Sequence, residues 1–384
     1  MAFIPTSNFE REAWLRLAFV ALPASRVEAA LARWQTPEAL LGAALTGDEQ
    51  LLQTTGITPN TVERLREAAE KDLTKTFAAM EQKNIRLLLR EDADYPAAIK
   101  GIPSPPPYLF VRGEILPQDE VAIAIVGTRH ATEYGRGVAE KFAAEFAARG
   151  VTVVSGLARG IDTAAHRGAL DSGGRTFAVC GCGLDIVYPA DNRKLMEDVE
   201  AGGAALSEFA PTVSPQNWHF PARNRIISGL CAGVVVVEAG ERSGALITSD
   251  FAMEQGREVF AVPGNIHKVQ SRGPHRLIKE GATLVESAAD VLEALNNRAL
   301  PFESDVAKQS ARARTERAGP ILPRADLSAD ENRVWVQLET EAQHVDKIAA
   351  SAQMGAAQVN GTLVLLELKG LARRLPGGLF AKNS

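Results

Sequence analysis

Two patterns of apolar positions alternate through the middle of the chain. Unbroken apolar runs predict strands at Ile85–Leu89, Tyr108–Val111, Val121–Val126, Val151–Val154, Thr176–Cys180, Ala204–Ser207, Val234–Val237, Val259–Val262 and Thr283–Val285. Helical periodicity between them predicts helices such as Glu140–Arg149, Thr163–Leu170, Asn192–Glu200 and Leu246–Gln255. Strands with no polar alternation are buried on both faces, the mark of a parallel sheet. Right-handed crossovers make such a sheet doubly wound, and this one is longer than a plain six-stranded unit. The expected fold class is therefore α/β: an extended Rossmann-like, doubly wound, mostly parallel sheet over residues 76–300.

The flanks carry different patterns. In residues 1–75, Leu15, Ala18, Phe19 and Leu22 share one helical face, as do Val27, Ala30, Leu31 and Trp34, with Pro23, Pro37 and Pro59 as punctuation. Leu52, Gly56, Ile57, Val62 and Leu65 follow helix-hairpin-helix spacing, with Thr58 where the second glycine normally stands. The segment predicts a helical, SAM- or helix-hairpin-helix-like module, whose turn serves either as a docking element or as a contact to a DNA backbone. Residues 301–326 are polar, carry Arg312, Arg314, Arg317 and Arg324, and read as a linker. Residues 327–384 predict a winged helix: helices Asn332–Leu338, Val345–Ala352 and Ala356–Leu368, a Gly370 cap, then strands Leu371–Leu375 and Leu379–Lys382 around Pro376-Gly377-Gly378.

Charge changes what these folds can be expected to do. The 384 residues hold 42 Lys+Arg against 47 Asp+Glu, a net charge of −5. No global field draws the chain to nucleic acid, so any such function rests on a local patch. From Asp326 onward there are six basic and seven acidic residues, so the winged helix lacks the cations that major-groove binding needs. Three cysteines cannot close a disulfide framework, which fits a reducing compartment. No apolar run has the length of a membrane helix. The Leu15–Leu22 patch follows Glu10 and Glu12 rather than a basic region, so the expected location is cytoplasmic.

The candidate chemistry sits at the carboxyl ends of the predicted strands, where open parallel sheets bind ligands. One strand runs into Gly127-Thr128-Arg129 and the next into Ser155-Gly156 and Arg159-Gly160-Ile161-Asp162. The third reaches Gly181-Cys182-Gly183-Leu184-Asp185 with Tyr188-Pro189, and the fourth Ser207-Glu208-Phe209 before Arg223-Asn224-Arg225. Glu238 then Ser243-Gly244, and Pro263-Gly264, close the series. Glycine turns followed by helix N-termini form an anion cradle. Arg129, Arg159, Arg223 and Arg225 add planar donors suited to phosphate. Neither a P-loop nor a Gly-x-Gly-x-x-Gly fingerprint is present. A cradle repeated along a sheet edge suits a single nucleic-acid strand, with Tyr188 the first choice among Tyr188, Phe209, Trp218 and Phe220 to stack a base. Hydrolytic readings are thinner. Ser155, Ser228 and Ser243 lack a nucleophile elbow. His166 reads as a structural histidine, Asp162 as an N-cap, Cys231 as buried, and Cys180 and Cys182 lack partners for zinc. No metal or cofactor is expected.

These motifs, in this order, resemble the DNA-processing protein A (DprA/Smf) family. The resemblance runs from Asp94-Tyr95-Pro96, Ile102 to Pro107 and Val111-Arg112-Gly113 through the strand-end turns to Phe220-Pro221, Ser243 to Ile247 and Pro263-Gly264. It implies a non-enzymatic single-stranded DNA-binding protein of natural transformation and recombination. Such a protein protects incoming strands, loads the recombinase RecA and forms a homodimer through its central domain. By motif position, Arg159, Arg223 and Arg225 carry phosphate contact, and Arg193 and Lys194 match a position that is usually basic. The alternative is a nucleoside-monophosphate phosphoribohydrolase-like enzyme on a similar fold. Its Pro-Gly-Gly-x-Gly-Thr signature is interrupted here, where Pro263-Gly264 continues into Asn265-Ile266-His267.

Overall fold

The computed structural model describes residues 8–54, 56–297, 327–338, 343–369, 371–375 and 379–382. It divides into two compact units, Met1–Ala299 and Leu300–Ser384. The expected 301–326 linker, the Gly370 cap and the Pro376-Gly377-Gly378 wing tip lie outside the described residues.

The first unit begins with helices α1 (Asn8–Val20), α2 (Ala24–Trp34), α3 (Pro37–Thr46), α4 (Pro59–Glu70) and α5 (Thr74–Gln82). Thr36 and Thr58 cap α3 and α4, each followed by proline at the first helical position. Strand β1 (Arg86–Leu89), helix α6 (Ala97–Lys100) and strand β2 (Tyr108–Gly113) come next. Then follow β3 (Ala122–Val126), α7 (Glu133–Ala147), β4 (Thr152–Ser155), α8 (Ile161–Asp171), β5 (Thr176–Cys180), α9 (Arg193–Gly202) and β6 (Gly203–Ser207). The unit closes with α10 (His219–Gly229), β7 (Gly233–Val236), α11 (Gly244–Glu254), β8 (Glu258–Ala261), α12 (Arg272–Lys279), β9 (Thr283–Leu284) and α13 (Ala288–Asn297).

These strands form one nine-stranded sheet in the order β1-β2-β6-β5-β4-β3-β7-β8-β9. The seven strands from β3 to β9 are mutually parallel, while β2 pairs antiparallel with both β6 and β1. Alternation along each strand assigns its side chains to two layers. Leu87, Leu89, Tyr108, Phe110, Ala178, Cys180 and Ala205 face one cluster, with the N-terminal helices and α9. Leu88, Leu109, Val111, Phe177, Val179, Ala204 and Leu206 face the other, with α6, α10, α11 and α12. The N-terminal helices thus share a core with the sheet, and Trp14 meets Tyr108 at 5.8 Å between ring centres.

Helix α7 starts at Glu133, seven residues before the expected Glu140. Gly135 and Gly137 both sit in the first turns of the helix. Gly135 is needed there because a Cβ would run into the Glu238 carboxylate.

In the second unit, α14 (Ala329–Gln337), β10 (Gln343–His344), α15 (Val345–Ala352), α16 (Ala356–Leu368), β11 (Ala372–Leu375) and β12 (Leu379–Lys382) form a winged helix with sheet order β10-β12-β11. The short β10 was absent from the sequence expectation, being too brief for an apolar pattern. Val334, Trp335, Ile348, Val359, Leu363, Leu366 and Phe380 make the core. Ser328 and Glu331 form a capping box on α14. Lys369, the cation at the end of α16, is spent on Glu331 at 2.6 Å. No helix among the described residues is long and apolar enough to cross a membrane.

Candidate nucleic-acid interface

Strand β3 leads through α7 to β4 on one side, whereas β7 lies on its other side and leads to α11 across the opposite face of the sheet. The crevice at the carboxyl ends of β3 and β7 is therefore the topological switch of the sheet. It holds a cavity of about 440 Å³. Gly127, Thr128 and Arg129 line it from the β3 turn, Phe220, Arg223 and Asn224 from α10, and Ser243 and Gly244 from the start of α11. Ser243 caps α11 through Ala245 N–H, and Asn224 Nδ2 donates to Gly244 O at 3.2 Å, which ties α10 to that helix start. Gly244 has open space where a Cβ would stand, so this helix end is approachable.

Arg129 is exposed, and its guanidinium carbon sits 5.2 Å from the centre of the Phe220 ring. Tyr188, 44% exposed, lies against the same ring at 5.4 Å. The mouth of the cavity thus combines a cation with two aromatic faces, the combination that grips an unpaired strand: charge for the phosphate, ring for the base.

The other turns are not the open cradle expected from sequence. The β4–α8 turn is closed on itself. Ser155 is wholly buried and donates to Ile125 O at 2.6 Å. Asp162 does not cap α8. Gly160 holds that position, and the Asp162 carboxylate accepts from Gly156 N at 3.2 Å and Ala158 N at 3.3 Å. His166 takes Leu157 N–H on Nε2 and meets the Thr176 hydroxyl at 2.7 Å through Nδ1. Burial, helped by the Arg223 charge, pushes its pKa down to about 3, so it is a neutral structural histidine. At α7 the anion is already supplied by the protein: Glu238 accepts from Thr132 N at 2.9 Å and from its hydroxyl at 2.5 Å. Gly127 and Gly160 answer to packing as well, since a Cβ would meet the Ile161 side chain at the first and Thr128 O at the second.

The arginines need a sharper correction. Arg223 is 5% exposed. Its Nη1 donates to Val179 O and, at 2.9 Å, to Gly156 O, and its Nε to Asn224 Oδ1 at 3.2 Å. Burial depresses its pKa, opposed mainly by the Asp162 charge, while burial raises that of Asp162. Only the edge of Arg223 reaches the cavity wall, so its first role is to hold the ends of β4 and β5 together. Arg225, two residues on, projects about 200° away around the helix. It leaves the cavity altogether and pairs with both oxygens of Glu208 at 2.6 and 2.7 Å, beside Phe209, Trp218 and Gln255. Arg223 and Arg225 therefore do not act as a pair on one ligand. Arg159 is exposed and bound to an equally exposed Asp191 at 2.6 Å, a surface pair that a phosphate can displace. Arg193 and Lys194 are exposed on α9, with Lys194 leaning on Asp198 at 2.7 Å.

Burial raises the pKa of all three cysteines, that of Cys182 to about 11, so none is poised as a thiolate. Among the described residues no cluster of three or more His, Cys, Asp or Glu is placed to hold a metal. Sequence reasoning also passed over Arg136 and Arg167. They lie on helix faces rather than in the glycine-rich strand-end turns.

Residues 86–296 match the family model for DNA recombination-mediator protein A, and residues 319–378 the DprA winged helix domain. Protein Smf of Escherichia coli is 37% identical over 370 residues, which cover 96% of this chain and 95% of that protein. The chain belongs to the DNA-processing protein A (DprA/Smf) family. DNA processing protein DprA of Bacillus subtilis is 42% identical over 60% of this chain and 78% of its own length. Among solved structures, that of the Streptococcus pneumoniae family member superposes with a TM-score of 0.62 at 36% identity, covering 76% of this chain and 98% of that one. The Helicobacter pylori member, whose structure addresses its single-stranded DNA binding mode, gives 0.50 at 28% identity over 56% of this chain and 96% of its own. Both belong to the same family as this chain, whose extended Rossmann-like sheet and winged helix are thereby established.

Proposed function

We propose that this chain is a non-enzymatic single-stranded DNA-binding protein of transformation and recombination, and that the switch-point cavity is where it holds the strand. The observation that carries the reading is Arg129: an exposed guanidinium at the cavity mouth, over Phe220, opposite the approachable start of α11. A phosphate between them meets a planar donor on one side and the positive end of the α11 dipole at Gly244 on the other. Tyr188 and Phe220 offer stacking surfaces, so binding needs no base sequence. Kinship with a protein studied for its single-stranded DNA binding supports the choice of ligand. Arg159, Arg193 and Lys194 extend the positive rim. Protection of incoming strands, delivery to RecA, homodimer formation and a cytoplasmic location belong to the same proposal, on the strength of the family resemblance.

The test is fluorescence anisotropy with labelled oligo-dT. Arg129→Gln should weaken binding and lower the slope of log K against log salt by about 0.7, one phosphate contact on a single strand. Binding indifferent to salt, or an Arg129→Gln variant that binds as the native chain does, overturns the site. Release of free base from AMP by the purified protein overturns the non-enzymatic reading in favour of the phosphoribohydrolase-like one.

A further inference from the structure

Next to the switch-point cavity lies a second, of about 410 Å³, between the openings of α7 and α8, and the two share Arg129 and His130. Arg136 from the first turn of α7 and Arg167 from α8 line it with Arg129, against a single carboxylate, Glu140. All three arginines are exposed, and among the described residues none forms an ion pair. Arg136 is steadied by its own turn, with Nη1 donating to Ala131 O at 2.6 Å.

Elsewhere in the unit several arginines are neutralised by carboxylates. Arg11, Arg90, Arg112, Arg175 and Arg225 are each matched to a carboxylate within 2.9 Å. In a chain of net charge −5, carboxylates are plentiful. Three guanidiniums with no carboxylate partner among the described residues repel each other in one groove. They create a local positive potential that a polyanion neutralises.

We propose that the groove between α7 and α8 is a second phosphate-binding subsite, continuous with the first at Arg129, along which a bound strand leaves the switch-point cavity. The inference rests on the single-strand reading above and adds the direction of the strand and two contact residues, Arg136 and Arg167. The phosphates recognised are those of one continuous strand, so the contribution of the subsite grows with strand length.

The experiment compares the full chain, Arg136→Gln/Arg167→Gln and Arg129→Gln, each binding oligo-dT of about 5 and about 15 nucleotides, within the range of site sizes for single-strand binders. Loss of two single-strand phosphate contacts lowers the salt slope by about 1.4, which over the interval from 1 M to 0.15 M salt weakens binding about tenfold. The double variant should show that loss on the longer oligonucleotide and none on the shorter, with an unchanged melting temperature, while Arg129→Gln weakens both. Native-like binding and slope in the double variant at both lengths overturn the subsite and leave the first cavity standing. An equal loss at both lengths also overturns it, because the groove would then be part of the primary site. Failure of the native chain to bind either oligonucleotide overturns the parent reading.

Discussion

Arg223 separates the structural account of this site from the purely electrostatic one. Replacing it with methionine keeps the length and removes the charge. The carbonyls of Gly156 and Val179 lose their donor, and Asp162, 7% exposed, loses its nearest compensating cation. Two hydrogen bonds from a charged donor contribute roughly 1.5–3 kcal/mol each. Removing one partner of a buried charge couple costs about 3–5 kcal/mol by a separate route, and the two figures describe the same loss. At roughly 2 °C per kcal/mol for a large unit, the melting temperature of Arg223→Met should drop by about 6–10 °C. The deficit should also depend on pH. Burial raises the Asp162 pKa above its ordinary 3.8, with Arg223 pulling the other way. Without Arg223 the folded value rises further. A carboxyl with a raised folded pKa costs nothing once protonated, below 3.8, and costs more as pH climbs through the folded value. The variant should therefore lag the native chain more at pH 7.5 than at pH 5, and adding Asp162→Asn should restore part of the loss. Thermal melts of the full chain read all of this. A variant that melts within 2 °C of native yet no longer binds oligo-dT would refute the reasoning and return Arg223 to the role of a phosphate contact.

Three further outcomes follow from the same geometry. His166 is held neutral with a pKa of about 3 against an ordinary 6.5, so stability present above pH 6.5 is lost as pH falls toward 3. His166→Gln should flatten that loss in melts run from pH 7.5 to 4.5, and an equally steep loss in the variant contradicts the assignment. Gly160→Ala places a Cβ against Thr128 O at a φ of +82°, which should cost about 2–3 kcal/mol and be visible as a lower melting temperature. Tyr188→Ala should melt normally, since the ring is 44% exposed, and weaken oligo-dT by about 1–3 kcal/mol; unchanged affinity removes Tyr188 from the site.

Much of the architecture is legible in the sequence because fully buried parallel strands leave unbroken apolar runs. All nine strands of the main sheet fall within a residue or two of those runs. Strand order is not legible, because the crossover from β6 to β7 depends on which edge of β3 is still open. The site was half legible. The turns name Thr128, Arg129, Asn224, Ser243 and Gly244, which do meet around one cavity. Glycine, however, looks the same in sequence whether it admits a ligand, as at Gly244, or a neighbouring side chain, as at Gly127. The burial of Arg223 did leave a signal: Ile226, Ile227 and Leu230 follow it at the spacing of a buried helical stripe, and all are buried with it. Arg225 falls off that stripe, which is why its guanidinium ends up elsewhere. Arg136 and Arg167 gave none, because arginine on an exposed helix face is ordinary until two such helices are seen to open onto one groove.

The most direct measurement is a crystal structure of the chain with a short oligo-dT. The account predicts a backbone phosphate between the Arg129 guanidinium and the start of α11, with a base against Tyr188 or Phe220. A strand lying instead along the Arg225–Glu208 side of α10, or held by the winged helix with the switch-point cavity empty, would contradict it.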